Sequence, residues 1–504
     1  MAGDQLFIGL DSGTQGTKVI VLSRQKGRIL AQANAHHDII ENKRGGREQH
    51  PHWWTDACKL VLEKVLGNRA VDRKLVKAVS VSGQQHGMVP LDTDGAVIRP
   101  AKLWCDTETK SQCRTLTERV GGDQAVRSAI GNYVAAGFTA SKLLWLKENE
   151  PQNYDRLATV LLPHDYINFW LTGQRRTECG DASGTAYFDV KNRCWSKILL
   201  NAIDASGKLE TCLPELIDAR NPCGILKPEI ARQFDLPKKT MVAAGGGDNM
   251  IAAIGTGNIK PGVITVSLGT SGTIYAYSDK PIVDPKGELA AFCSSSGGWL
   301  PLVCTMNVTV TTELLRSLFK LDLKKYTSLV AKAPPGAEGL LLLPYFNGER
   351  TPALPDAKAT LHGMTPMNLS AQNLCRAGME GATLGLRYGL DVIKRNGISP
   401  KELRLIGGGS NNPIWRQMVA DIFEKPVLLP KDTEAGALGA ALQAMWCYCN
   451  QTEGKTDLED LCASFVLLDD TRRTEPVKAT AALYRDIYSQ YLELECCMRP
   501  LNQV

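Results

Sequence analysis

One short unit constrains this chain more than anything else: a strand, a Gly/Thr-rich turn and a return strand that occur twice, once in each half. Residues 6–10 are apolar and run into Asp11-Ser12-Gly13-Thr14-Gln15-Gly16-Thr17, and residues 19–22 form the return strand. Residues 262–275 repeat the pattern, with Gly13–Thr17 matching Gly269-Thr270-Ser271-Gly272-Thr273 and Ser267 standing where Asp11 stands. A duplicated supersecondary unit predicts two related domains. Such turns can offer backbone N–H groups and hydroxyls to phosphate oxygens, so two of them facing one another could clamp a polyphosphate. Asp11, at the end of the first strand, is suited to a hydrated Mg²⁺, and only the first copy has that carboxylate. Neither copy is a P-loop, because the Gly-x-x-x-x-Gly-Lys-Ser/Thr order and the long helix after it are missing. A single turn of this kind could be an ordinary β-turn, and it is the doubling that carries weight.

The chain of 504 residues is long enough for two or three such domains. Hydrophobic residues at 43% and charged residues at 22% allow a sizeable core and argue against wholesale disorder. The net charge is +5, with 58 basic and 53 acidic residues interspersed, so nothing marks a nucleic-acid or anionic-membrane surface. Fifteen cysteines, an odd number with no Cys-x-x-Cys, predict free thiols in a reducing compartment. His36-His37 and His50-Pro51-His52 lack metal-ligand spacing. The start of the sequence has no basic region followed by an apolar core, and no run approaches the roughly 18 apolar residues that cross a bilayer. A cytoplasmic protein is expected.

Near the midpoint, Ala243-Ala244-Gly245-Gly246-Gly247-Asp248-Asn249-Met250 reads as a strand end, a glycine turn and the start of a helix through residue 254. Asp248 there faces the positive end of the helix dipole, and the glycines let a ligand approach the backbone. A proton acceptor and an N-cap both suit that position. Residues 76–82 predict a strand ending in Gly83-Gln84-Gln85-His86-Gly87, and Leu103-Trp104-Cys105-Asp106 adds an indole and a carboxylate. Together they offer the polar groups and aromatic face that a polyol needs. Residues 180–185 look like a turn. Residues 370–396 predict a long helix stopped by Gly397, and residues 403–406 a strand leading into Gly407-Gly408-Gly409-Ser410-Asn411-Asn412 and then a helix opened by Pro413. That corner suits a nucleotide. Residues 432–445 form a small-residue helix, and Leu483, Tyr484, Ile487, Tyr491 and Leu494 give a final helix an apolar face.

These residues resemble a known family. The stretch from Gly137-Phe138-Thr139 through Lys142, Trp145 and Asn149 is similar to the first signature of the FGGY carbohydrate kinases. Residues 406–412, with Trp415, Arg416, Gln417, Met418, Ala420 and Asp421, resemble that family's adenosine motif. Residues 82–87 and Gly348-Glu349-Arg350-Thr351-Pro352 are most similar to the branch acting on the ketopentose D-xylulose. Gln85 stands where that branch often has methionine, and Cys105 where asparagine is common.

The resemblance implies an α/β fold of two actin-like, ribonuclease-H-like ATPase domains flanking a central cleft. The halves would be residues 1–242 for the sugar and 243–504 for the nucleotide, the last helix packing back on the first domain. It implies ATP and Mg²⁺ as cofactors, a small sugar as the other partner, no nucleic acid or membrane, and a homodimer as a candidate assembly. Residue by residue, Asp248 matches the catalytic base and Asp11 the metal-associated carboxylate. Gln85, His86, Asp106 and Asn249 fall in the sugar-contacting regions. Gly13, Thr14, Gln15 and Thr17, with Gly269, Thr270 and Ser271, match the phosphate loops, and Gly408, Gly409 and Asn412 the adenosine corner. The expected reaction is phosphorylation of a ketopentose; ribulose, a heptulose or a polyol, or a non-catalytic sugar or nucleotide sensor, are the alternatives.

Overall fold

The computed structural model describes residues 3–502. The first hairpin consists of β1 (Leu6–Ser12) and β2 (Gly16–Ser23), extended antiparallel by β3 (Arg28–His36). On the other side of β1, β4 (Val76–Gly83) runs parallel, followed by β5 (Pro222–Ile225) and β6 (Met241–Ala243), the latter parallel to β4. The second hairpin, β7 (Val263–Leu268) and β8 (Gly272–Ala276), is extended antiparallel by β9 (Leu302–Thr305). Beside β7, β10 (Glu402–Ile406) and β11 (Val427–Leu428) run parallel. The orders β3-β2-β1-β4-β6 and β9-β8-β7-β10-β11 are the same path traced twice. The duplication expected from the Gly-Thr turns therefore extends to whole sheets, the ribonuclease-H arrangement of an actin-like protein.

The two turns differ in one respect that residue matching does not show. Asp11 pairs with Lys18 and Ser12 with Thr17, leaving four residues in the first turn, closed by Gly13 N–H donating to the Gly16 carbonyl at 3.0 Å. Ser267 pairs with Thr273 and Leu268 with Gly272, leaving three. A one-residue difference in register reverses which side of the hairpin a side chain faces.

Side chains alternate along β1 as the pleat requires. Leu6, Ile8 and Leu10 enter a core with Trp54, Cys58 and Val61, while Phe7 joins one built from α2 (Asp248–Gly255) and α5 (Ala435–Thr452). Between these two helices in sequence lie α3 (Ala371–Arg395) and α4 (Pro413–Phe423), which belong to the core of the second sheet. The last helix, Lys478–Met498, differs from expectation: Tyr484 and Tyr491 enter the core of the second sheet, and the Tyr484 hydroxyl lies 2.7 Å from Glu380 and 2.9 Å from Arg376 of α3. It is α5 that lies against the first sheet. Residues 180–185 also differ, forming a short helix, Cys179–Ala182, and a 3₁₀ turn, because the Glu178 carboxylate accepts the Gly180 and Asp181 N–H groups at 2.7 Å each and so caps a helix start.

α2 and α5 touch backbone to backbone. A Cβ on Gly439 would fall on the Ile251 carbonyl oxygen and 2.8 Å from the Gly255 nitrogen. Gly439→Ala is therefore expected to push the helices apart and destabilise the protein by roughly 1–3 kcal/mol, the usual cost of overpacking, read as a lowered urea midpoint. An unchanged midpoint would mean the contact is looser than it looks.

Candidate active site

A cavity of 630 Å³ lies between the two halves, lined by Thr14 and Gln15 of the first turn, Gly269, Thr270 and Ser271 of the second, Gln85, His86, Asp248 and Asn249. Nine of the residues singled out in the sequence thus meet in one space. They come from β-turns and strand ends because a parallel strand delivers its C-terminal loop to the same edge of the sheet each time.

Asp248 is the first residue of α2, and the cap position belongs to Gly247, so the N-cap reading is corrected. Its Oδ1 accepts the Asn249 backbone N–H at 2.7 Å and Asn249 Nδ2 at 2.9 Å, and Oδ2 has no protein donor among the described residues. Burial, and next the like charge of Asp11, push its carboxyl up to about 7. Asn249 Nδ2 also reaches Gln85 Oε1 at 2.9 Å, and Asn249 Oδ1 accepts from Thr273 Oγ1 at 3.3 Å. Gln85 donates to Met250 Sδ at 3.0 Å. One chain of amides thus joins the β4 loop, α2 and the second hairpin.

His86 has a left-handed backbone, φ 62°, rare outside glycine. Lys142 of α1 (Thr139–Asn149), itself fully buried, holds this turn by donating to the carbonyls of His86 at 2.7 Å and Gly137 at 2.5 Å. Burial holds the His86 imidazole well below its usual range, reinforced by the charges of Lys142 and Arg350. The ring packs against Phe138 and Phe292, with centroids 4.7 Å and 5.7 Å away.

Asp11 does not line the cavity, though its charge acts on Asp248, which does. One Asp11 carboxylate oxygen accepts Ser82 Oγ at 2.7 Å, burial raises its pKa, and glycine at position 436 leaves open the space beside the carboxylate that any Cβ would fill. No group of three or more ligating side chains occurs among the described residues. Mg²⁺ does not need one, since it is bound through one or two carboxylates with waters and substrate phosphates, and Asp11 fits that pattern.

Several expected residues lie elsewhere. Thr17 is buried inside the first hairpin, 3.0 Å from Ser12 Oγ, and Gly13 does not line the cavity. Asp106 is buried away from it, taken up by Lys102 Nζ at 3.1 Å and the Arg47 N–H at 3.0 Å. At the adenosine corner, Gly408 lines a separate space of 280 Å³ beside Lys18, Ser410 and Glu434, Gly409 is packed against Trp415, and Asn412 caps α4 by accepting from Ile414 and Trp415 N–H groups. Three groups take their place at the site only from the structure. Arg350 lines the cavity and has no carboxylate ion-pair partner among the described residues. Gln443 of α5 exchanges two 2.9 Å hydrogen bonds with the Gly245 peptide, and Asn168 Nδ2 holds the Ala244 carbonyl at 2.7 Å, so both fix the turn that carries Asp248. A lone amide in a helix of small residues was the available signal for Gln443.

Comparison with known proteins gives a consistent result. The N-terminal domain model of the FGGY family of carbohydrate kinases matches residues 6–255, and its C-terminal domain model residues 264–448. The chain is 43% identical to the xylulose kinase of Haemophilus influenzae over 97% of its own length and 99% of that protein. It is 33% identical to the xylulose kinase of Bacillus subtilis, covering 98% of this chain and 99% of the other. Among solved structures, a "xyloylose kinase" from Brucella ovis superposes with a TM-score of 0.91 at 28% identity, covering 99% of this chain and all of that one. The xylulose kinase of Bifidobacterium adolescentis gives 0.81 at 30% identity, covering 96% and 99%. No helix among the described residues is long and apolar enough to cross a membrane.

Proposed function

Because this chain belongs to the FGGY family of carbohydrate kinases, we propose that it transfers the γ-phosphoryl group of ATP to D-xylulose, giving D-xylulose 5-phosphate and ADP. The observation that carries the reading is the meeting of Asp248 with both Gly-Thr turns in one cavity. Asp248 orients the sugar hydroxyl and takes its proton as the new O–P bond forms and the bond to ADP breaks. The N–H groups and hydroxyls of Thr14, Gln15, Gly269, Thr270 and Ser271 are placed to meet phosphate oxygens where charge develops. A Mg²⁺ held through Asp11 would supply neutralisation of charge on the phosphates. Arg350 adds a fixed positive charge to the same space.

His86, held neutral by burial, and the Asn249 amide are the groups assigned to sugar hydroxyls. Gln85 orients Asn249 and keeps one N–H and one carbonyl lone pair free beyond its bonds to Met250 and Asn249, so it is assigned to the sugar with His86 and Asn249. The nucleoside lies toward Gly408. The fifteen free cysteines fit a cytoplasmic enzyme.

The test is ADP release with a panel of D-xylulose, D- and L-ribulose, a heptulose and glycerol. D-xylulose is expected to give the highest kcat/KM. A higher value for another sugar would reassign the substrate, and no sugar-dependent ADP at all would leave a sensor in place of an enzyme.

A further inference from the structure

Cavity wall and first phosphate turn are joined by a direct hydrogen bond: Trp104, whose indole lines the cavity, donates Nε1–H to Thr14 Oγ1 at 2.8 Å. A second tie holds the same residue. Gln49, fully buried, donates from Nε2 to the Thr14 carbonyl at 2.8 Å, while its Oε1 accepts Gln84 Nε2 at 2.8 Å and Trp54 Nε1 at 2.9 Å. Gln84 precedes Gln85 and His86, and its own N–H donates to the Ser12 carbonyl at 2.9 Å. Thr14 is thus fixed at its carbonyl by Gln49, which the strand-end loop holds in turn through Gln84, and at its hydroxyl by the indole, which faces the space assigned to the sugar.

A threonine hydroxyl has one proton to donate and two lone pairs to accept with. Trp104 occupies a lone pair, because an indole N–H can only donate, and Thr14 Oγ1 has no other protein partner among the described residues. Its O–H is therefore left to donate, which a phosphate oxygen requires. A sugar packed on the indole removes water from the Nε1–Oγ1 bond, and hydrogen bonds strengthen as the surroundings dry.

Resting on the kinase reading above, we propose that Trp104 is a positioning residue that makes the first phosphate turn responsive to sugar: it sets the Thr14 hydroxyl as a donor, and the occupied sugar pocket tightens that setting. The consequence is synergy, with sugar improving the grip on the terminal phosphate. Sugar-independent ATP hydrolysis is then low because the turn is fully set only when an acceptor is present.

The test uses W104F, which keeps the aromatic wall and removes the N–H, together with T14V and the double variant. In wild type, the Kd of the β,γ-imido analogue of ATP is expected to fall at least threefold when D-xylulose is added. W104F and T14V should each abolish that gain and lower kcat at least tenfold, with the sugar KM within threefold of wild type and the double variant no worse than T14V. A W104F enzyme that keeps the sugar-induced gain, or loses sugar affinity with its nucleotide parameters intact, overturns the proposal, as do losses that multiply in the double variant. Wild-type ADP release with sugar is read separately and bears only on the kinase assignment.

Discussion

Asp248→Asn is expected to leave the fold and nucleotide affinity unchanged while lowering kcat by about 10²- to 10⁴-fold, the range of a lost general base. The substitution keeps size and shape. If the amide carbonyl takes the place of Oδ1, the Asn249 N–H and Nδ2 still find an acceptor, so α2 should start as before. What disappears is the ability to take a proton. Nucleotide titration and a melting curve, set beside the turnover measurement, separate this from a folding defect, and near-normal turnover would reduce Asp248 to a structural start of α2.

The same group predicts a pH dependence. Burial raises the Asp248 carboxyl to about 7, so in the free enzyme it is protonated, and unable to act as a base, below that pH. The kcat/KM value should therefore fall as pH drops through about 7 and level off above it. A profile flat from pH 5 to 8 would mean that the base is another group or that the carboxylate is already ionised.

Asp11→Ala should slow turnover by about 10²- to 10³-fold at a Mg²⁺ level that saturates the wild type, a loss of the size seen when one electrostatic contact to developing charge is removed. Raising Mg²⁺ should recover part of it. The variant also removes the like charge that helps lift the Asp248 carboxyl, so the acid limb of its kcat/KM profile should move to lower pH. Rate and Mg²⁺ titration overlapping those of wild type would remove Asp11 from the metal. The two readouts are independent, because a purely structural defect would lower the rate without moving the pH limb in that direction.

Local conformational preference made much of the fold legible. Glycine and threonine between apolar strands specify a hairpin, a glycine run after a buried strand specifies a sharp entry into a helix, and the long helix expected over 370–396 spans Ala371–Arg395, with Ser370 Oγ capping it by accepting from Asn373. The helix start within residues 180–185 is not legible in the sequence, since the carboxylate of Glu178 that caps it carries no periodic signal. Asp106 and Asn412 show a different limit. Each has the right chemistry, but buried polar groups must find partners, and Lys102 takes the first while the α4 N–H groups take the second.

The sequence by itself determined the doubling, the carboxylates at Asp11 and Asp248, and the glycine-rich turns, because each is written within a few neighbouring residues. Only the tertiary structure decided which of these share a space. The turn carrying Asp248 is held by Gln443, 198 residues from the peptide it grips. Trp104 meets Thr14 from 90 residues away. The geometry of such contacts follows from which edge each strand delivers its loop to. That is a property of topology, and no local stretch of chain encodes it.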